Sequence, residues 1–108
     1  MRLVTDHPGE TLLTEYLTDL RLSSRGLAHE LGVAPSRIFD FVAGRTGCDA
    51  DLAIRLSRRF GTTPELWLKM QVEYDVAKCL ADNDYSDVVS GTPPATPETG
   101  WSQTGYLA

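Results

Sequence analysis

The sequence predicts an all-α fold of five helices followed by a flexible or extended C-terminal tail. Apolar residues recur at helical spacing in separate stretches before residue 82, as on the buried face of a helix. Residues that cap or end helices, such as Ser23, Gly32 and Gly61, stand between these stretches. From Asp82 onward the helical spacing is lost. We therefore divide the 108 residues into a helical domain, 1–81, and a tail, 82–108.

The first predicted helix follows Pro8 and Gly9, both of which are common near the start of a helix. Five apolar residues then recur at helical spacing: Leu12, Leu13, Tyr16, Leu17 and Leu20. This pattern predicts a helix of about three turns.

The second predicted helix begins after Ser23, whose hydroxyl can cap free N–H groups in the first turn. Ala28 is small at the point where a neighbouring helix has to cross closely. Gly32 follows four residues later and accepts the left-handed conformation that ends a helix. A short turn and a third helix are therefore expected after it.

The third helix runs from about Pro35 to Ala43, because a first-turn proline lacks only an N–H that has no helical partner. Ile38 and Phe41 recur on one face and pack it against the second helix. The outward side chains are then Ser36, Arg37, Phe39 and Asp40. This spacing is typical of a helix-turn-helix motif, whose second helix enters the major groove of DNA. The alternative is a helical hairpin within an ordinary bundle.

Two further helices complete the predicted domain. Asp49 caps the fourth helix, which ends at Gly61 and turns Ala53, Leu56 and Phe60 inward. Thr63, followed by a proline and an acidic residue, starts the fifth helix, which continues to about Ala81.

The fifth helix carries a long apolar and aromatic stripe: Leu66, Trp67, Met70, Tyr74, Ala77 and Leu80. A domain of this size has little core to cover such a helix on every side. We interpret part of the stripe, namely Leu66, Trp67, Met70 and Tyr74, as a dimer interface. The alternative is that the stripe only closes the core of the monomer.

The charges are unevenly distributed along the chain, whose net charge is −5. Between Arg21 and Gly61 seven arginines outnumber four acidic residues, whereas the remainder has three basic and eleven acidic residues. A basic region on an acidic body is compatible with DNA binding, because attraction to phosphates depends on local potential. Alternatively, the arginines at positions 55, 58 and 59 form a solvated face.

Nothing in the sequence predicts a catalytic site, a cofactor or a metal. His7 and His29 are the only histidines, and no glycine-rich phosphate loop or nucleophile elbow occurs. Cys48 and Cys79 lack the paired spacing of zinc ligands. No apolar run reaches the length of a membrane span or resembles a signal peptide, so we expect a cytoplasmic protein. Because no catalytic motif occurs, we expect that it is not an enzyme.

The tail is acidic at first and then rich in Pro, Thr and Gly, a composition that predicts a flexible or extended segment. Trp101, Tyr106 and Leu107 place bulky groups near its end. Such residues are typical of a segment that docks on a partner.

Three stretches resemble the HigA family of antitoxins: HPGETLLTEYL, LAHELGVAPSRI and ADLAIRLSRRFGTTPELWLKMQVEYD. The resemblance covers residues 7–78 and implies a lambda-repressor-like DNA-binding domain. It further implies a homodimeric antitoxin of a type II toxin-antitoxin module, which binds operator DNA to repress its own operon. Its protein partner would be a HigB-like toxin, a small RelE-like ribonuclease that cuts mRNA. No membrane, small-molecule substrate or cofactor is implied.

The resemblance also implies roles for single residues. Ser36 and Arg37 would read bases, while Ser24 and Arg45 would contact the DNA backbone. The full set of candidate DNA contacts is Ser24, Arg25, Pro35, Ser36, Arg37, Phe39, Asp40 and Arg45. Phe39 stands where the family has a small polar residue, and it either contacts a thymine methyl group or turns inward as a core residue.

Two other functions remain open at this point. One is a stand-alone helix-turn-helix transcriptional regulator without a toxin partner. The other is a protein-interaction adaptor that uses the acidic tail and has lost DNA binding. A short basic reading frame beside the gene would favour the antitoxin.

Overall fold

The computed structural model describes residues 6–93, and five helices account for most of them. These are α1 (residues 8–20), α2 (Ser24–Leu31), α3 (Pro35–Val42), α4 (Ala50–Phe60) and α5 (Pro64–Asp82). Residues 6–93 contain no β-strand, so the all-α prediction is confirmed. The predicted docking residues Trp101, Tyr106 and Leu107 lie outside the described residues.

Local capping determines where three of the helices begin. Ser23, Asp49 and Thr63 each accept a hydrogen bond from the backbone N–H three residues later, at 2.9, 2.9 and 3.2 Å. Gly32 and Gly61 end α2 and α4 in the left-handed conformation, with φ of 73° and 72°. Both the caps and the turns agree with the sequence-based predictions.

Helix α1 has three consecutive segments: α-helical Pro8–Thr11, π-helical Leu12–Leu17 and α-helical Thr18–Leu20. The hydroxyl of Thr18 reinforces the π segment by donating to the carbonyl of Leu13 at 2.8 Å. The wider turn brings Leu12 and Leu17 onto the same face, and both are buried. Leu13 and Leu20, by contrast, are exposed.

The hydrophobic core surrounds Trp67, whose side chain is completely buried. Its indole N–H donates to the hydroxyl of Thr62 at 2.8 Å, which satisfies the one polar atom of the ring. Tyr16 packs between Trp67 and Phe60, with ring centroids 5.3 and 4.8 Å away. The remaining buried aliphatic and aromatic side chains of the core are Leu12, Leu17, Leu27, Ala28, Leu31, Ile38, Phe41, Leu52, Ala53 and Leu56.

The predicted stripe on α5 divides between core and surface. Met70 and Tyr74 are half-buried within the monomer, and Leu66 is exposed. The assignment of Trp67 to a dimer interface is wrong, because the core of the monomer encloses its whole side chain. Leu66 and Trp67 are adjacent in the chain, so they point about 100° apart around the helix.

The start of α1 is fixed against the end of α3. A Cβ atom on Gly9 would lie 1.9 Å from the carbonyl oxygen of Phe41, so only glycine permits this approach. Beside it, the buried ring of His7 makes edge-to-face contacts with Phe41 and Tyr74, at centroid distances of 5.4 and 5.0 Å. The Nδ1 atom of His7 accepts the N–H of Gly9 at 2.9 Å and thereby caps α1.

The neutral form of His7 is the form that fits this site. Burial lowers the pKa of His7 below its ordinary value of 6.5, while a hydrogen bond to the Thr46 backbone and the charge of Asp75 act in the opposite direction. A proton on Nδ1 would also oppose the N–H of Gly9, which needs an acceptor there. The contribution of His7 to stability is therefore complete above the ordinary pKa and declines as the pH falls below it.

We predict that the His7→Asn variant loses this pH dependence, because asparagine also caps helices but does not titrate in this range. Urea unfolding at several pH values between about 8 and 5 measures it. The free energy of unfolding of the wild type should fall more steeply toward acid pH than that of the variant. The exposed His29 supplies the control, since His29→Asn should behave as the wild type does. Identical slopes for the wild type and His7→Asn would contradict the prediction.

Candidate nucleic-acid interface

Helices α2 and α3 form a helix-turn-helix unit with the geometry that the sequence predicts. Ala28 is completely buried, and its carbonyl accepts the N–H of Val33 at 3.0 Å across the turn. Ile38 and Phe41 are also completely buried. One face of α3 is thereby committed to the core, and the opposite face is left for a ligand.

The side chains on the free face of α3 differ in how far they are exposed. Ser36 is exposed, Asp40 is half-buried, and Phe39 is 41% exposed. Phe39 therefore points outward, which decides between the two orientations expected for it. Pro35 and Ser24 are half-buried in the first turns of α3 and α2.

Arg37 is engaged within the protein instead of projecting freely from α3. Its two terminal nitrogens donate to Asp51 at 2.9 Å and to Asp49 at 3.0 Å. Only about a third of the side chain is accessible to solvent. The expected exposed arginine of α3 is thus a link to the N-terminal turn of α4.

Asp51 connects Arg37 to Arg55, which in turn contacts the end of α2. Hydrogen bonds from Arg55 and Arg37 hold the pKa of the Asp51 carboxyl below its usual range. Arg55 donates in addition to the carbonyl of Leu31 at 2.8 Å. Each pair is solvent-exposed and individually weak, but together they join the ends of three helices.

Other arginines differ in how much of their charge remains available. Arg59 is paired with Glu30, so it and Arg55 are not simply solvated. Arg45 is 63% exposed and lies 3.8 Å from Asp40, at the limit of an ion pair. Arg25 lies over the Phe39 ring with its Cζ atom 5.8 Å from the centroid. Arg25 and Arg45 are therefore the cations next to α3 that are most available to phosphates.

Gln71 fixes the connection between α3 and α4, a role that the sequence analysis missed. Its buried amide oxygen accepts the N–H of Cys48 at 2.8 Å, and its nitrogen donates to Asp75 at 2.9 Å. Burial raises the pKa of the Cys48 thiol to about 12, which makes this cysteine a poor nucleophile or metal ligand. The available signal was an uncharged polar residue one helical turn after Trp67, on the same face of α5.

Residues 6–93 contain no cluster of three or more histidine, cysteine or acidic side chains able to hold a metal ion. Within the same part of the chain, no helix is both long and apolar enough to cross a bilayer.

Comparison with known proteins assigns the family. No family model matches the sequence. The solved structure of the Pseudomonas aeruginosa antitoxin HigA with the higBA promoter is 36% identical, covers 83% of this chain and 98% of its own, and has a TM-score of 0.75. The chain belongs to the HigA family of antitoxins. The resemblance seen in the sequence is thereby confirmed.

Two further proteins are similar to this chain over most of its length. The antitoxin GraA in complex with its operator is 35% identical, covers 85% of this chain and 94% of its own, and has a TM-score of 0.74. Virulence-associated protein I of Dichelobacter nodosus is 42% identical over 83 residues, or 77% of each chain. The solved HigA and GraA structures are of DNA-bound antitoxins, so this HigA-family chain is a helix-turn-helix protein of the antitoxin class and not an enzyme.

Proposed function

We propose that this protein is the antitoxin of a type II toxin-antitoxin module. It binds operator DNA as a homodimer, represses its own operon and neutralises a small HigB-like ribonuclease. It works in the cytoplasm, where the operon and the mRNA targets of such a toxin are found.

The observation that carries the proposal is the free face of α3 beside the available cations Arg25 and Arg45. A helix that presents one uncommitted face between cations suits the major groove and the phosphates on either side of it. In this arrangement Arg25 and Arg45, with Ser24, contact phosphates. The base edges are met by Pro35, Ser36, Arg37, Phe39 and Asp40.

Arg37 takes part by exchanging partners. In the free protein its guanidinium is bound by Asp49 and Asp51 through two parallel sets of hydrogen bonds. Guanine also offers two acceptors, because its O6 and N7 atoms accept a bidentate pair from arginine in the major groove. In this proposal, recognition of a guanine exchanges the two carboxylates for the two acceptors of one base.

We predict that Arg37→Ala weakens operator binding by about 1 to 3 kcal/mol and relaxes the base preference. Arg45→Ala should instead weaken binding to all duplexes and reduce the slope of log K against log salt by about one unit per site. Gel shifts on the DNA upstream of the gene and on scrambled duplexes, over a salt series, distinguish these effects.

Arg58→Ala is the matched control, because Arg58 is exposed on α4 and has no ion pair within residues 6–93. It should leave both affinity and salt slope almost unchanged. Unchanged binding by the Arg37 and Arg45 variants would place the DNA contact elsewhere. Absence of any binding by the wild type would instead favour the adaptor.

The second half of α5 is the surface that best supports a homodimer. Val72, Val76 and Leu80 recur every fourth residue and are 58, 51 and 63% exposed. Val76 and Leu80 line an open apolar groove of about 450 Å³ together with Cys79 and Tyr85. A contiguous apolar surface of this kind is rarely left in water by a monomeric protein. Two linked copies would also place two recognition helices on successive half-sites.

We predict that the double variant Val76→Glu, Leu80→Glu is a folded monomer with much weaker operator binding. Buried carboxylates without partners oppose association, whereas the core lies on another face of α5. Sedimentation velocity and circular dichroism measure the two properties. Leu66→Glu, in the first half of the same helix, should remain dimeric. A monomer from Leu66→Glu alone would move the interface to the stripe predicted from the sequence.

Toxin neutralisation is tested by co-expression. The reading frame next to the gene is induced alone and together with this chain, and growth is recorded. We expect growth arrest by the neighbour alone and recovery when the wild-type chain is present. A harmless neighbour, combined with intact operator binding, would identify a stand-alone transcriptional regulator instead.

A further inference from the structure

Phe39 is an unusual side chain for the free face of a recognition helix. Of the other aromatic and branched residues of α3, Ile38 and Phe41 are completely buried and Val42 is half-buried, whereas 41% of Phe39 is exposed. Exposed aromatic area of this kind gains nothing from water and contributes no hydrogen bond. A role for the exposed Phe39 ring therefore depends on a ligand that covers this face of α3.

Arg25 holds this ring in position. The guanidinium lies over one face of Phe39, with Cζ 5.8 Å from the ring centroid, which is within the range of a cation-π contact. Arg25 belongs to the first turn of α2 and Phe39 to α3, so the pair also joins the two helices of the motif. Part of the ring stays accessible beside this contact, and Ser36, one turn earlier on α3, is exposed as well.

A phenyl ring on this surface can distinguish one base by an apolar group. The C5-methyl group of thymine is the apolar group that base pairs display in the major groove, and cytosine has only a hydrogen there. The stacked guanidinium adds a cation for the neighbouring phosphate. The ring of Phe39 and the guanidinium of Arg25 therefore suit a thymine, with the ring on its methyl group and the guanidinium on the adjacent DNA phosphate.

We propose that Phe39, positioned by Arg25, reads the methyl group of one thymine in each half-site of the operator. The inference rests on the proposed function, since it specifies how the same surface recognises DNA. It identifies a specificity determinant that consists of two side chains, one from each helix of the motif.

The test removes the methyl group without changing base pairing. Duplexes are selected from a randomised pool by the wild-type protein, and each thymine of the selected site is then replaced in turn by uracil. We expect about a fourfold loss of affinity at one thymine per half-site, the ratio that corresponds to about 0.8 kcal/mol for a buried methyl. Replacement in both half-sites should multiply the losses.

The protein variants complete a double-mutant cycle. Phe39→Ala should bind the thymine and uracil duplexes equally, and Phe39→Leu should keep part of the difference because it retains an apolar contact. Ile54→Ala is the matched control, since Ile54 is 44% exposed on α4, outside the helix-turn-helix; it should keep the full ratio. Thermal melting verifies that all variants are folded.

Two results would overturn the inference while leaving the proposed function intact. In the first, the wild type binds a selected duplex and every uracil derivative of it equally. In the second, Phe39→Ala keeps the same thymine-to-uracil ratio as the wild type. Failure of the wild type to select any duplex would overturn the proposed function, and this inference with it.

Discussion

The orientation of α3 depends on the close contact between the Gly9 backbone and the carbonyl of Phe41. A side chain at position 9 would have to occupy the space of that carbonyl, so the end of α3 and the start of α1 are held at a single distance. The cap by His7 fixes the same junction from the other side. Recognition surfaces work only when their supporting contacts are this constrained, because small displacements of a helix misplace every side chain it presents.

The opposite end of α3 is fixed by charge instead of by packing. Arg37 reaches across to the N-terminal turn of α4, where Asp49 also caps the helix through the N–H of Leu52. Gln71 in turn holds the segment just before this cap. Packing at one end and hydrogen-bonded charges at the other thus define the axis of the helix, while Ile38 anchors its middle in the core.

Features that depend on near neighbours in the sequence could be predicted, and those that depend on distant partners could not. The caps at Ser23, Asp49 and Thr63 and the turn at Gly32 are local, so residue type alone indicates them. The burial of Trp67 depends on how α1 and α4 meet α5, and periodicity cannot separate it from its exposed neighbour. The partners of Arg37 lie 12 and 14 residues away, beyond any helical spacing.

The face of α3 that forms the candidate site could be predicted, but the contacts of its side chains could not. The sequence indicated which helix is free and which side chains lie on it, because the inward face follows from Ile38 and Phe41 alone. It did not indicate that Arg37 is already occupied or that Arg25 is stacked on Phe39. Both depend on the crossing of helices. The π-helical segment of α1 is a similar case, since it changes which leucines face inward without leaving a mark in the spacing.

The occupied state of Arg37 has a consequence for the time that the protein spends on the wrong DNA. Phosphates attract any free cation, and unrelated sites outnumber an operator by many orders of magnitude, so each free arginine lengthens the search. A guanidinium held by two carboxylates adds little to this sequence-independent attraction. In the proposed mode of binding, it is released where a base offers two acceptors. In that mode of binding, the acidic residues at the start of α4 shorten residence at unrelated sites and leave the lifetime of the correct complex to be set by the bases themselves.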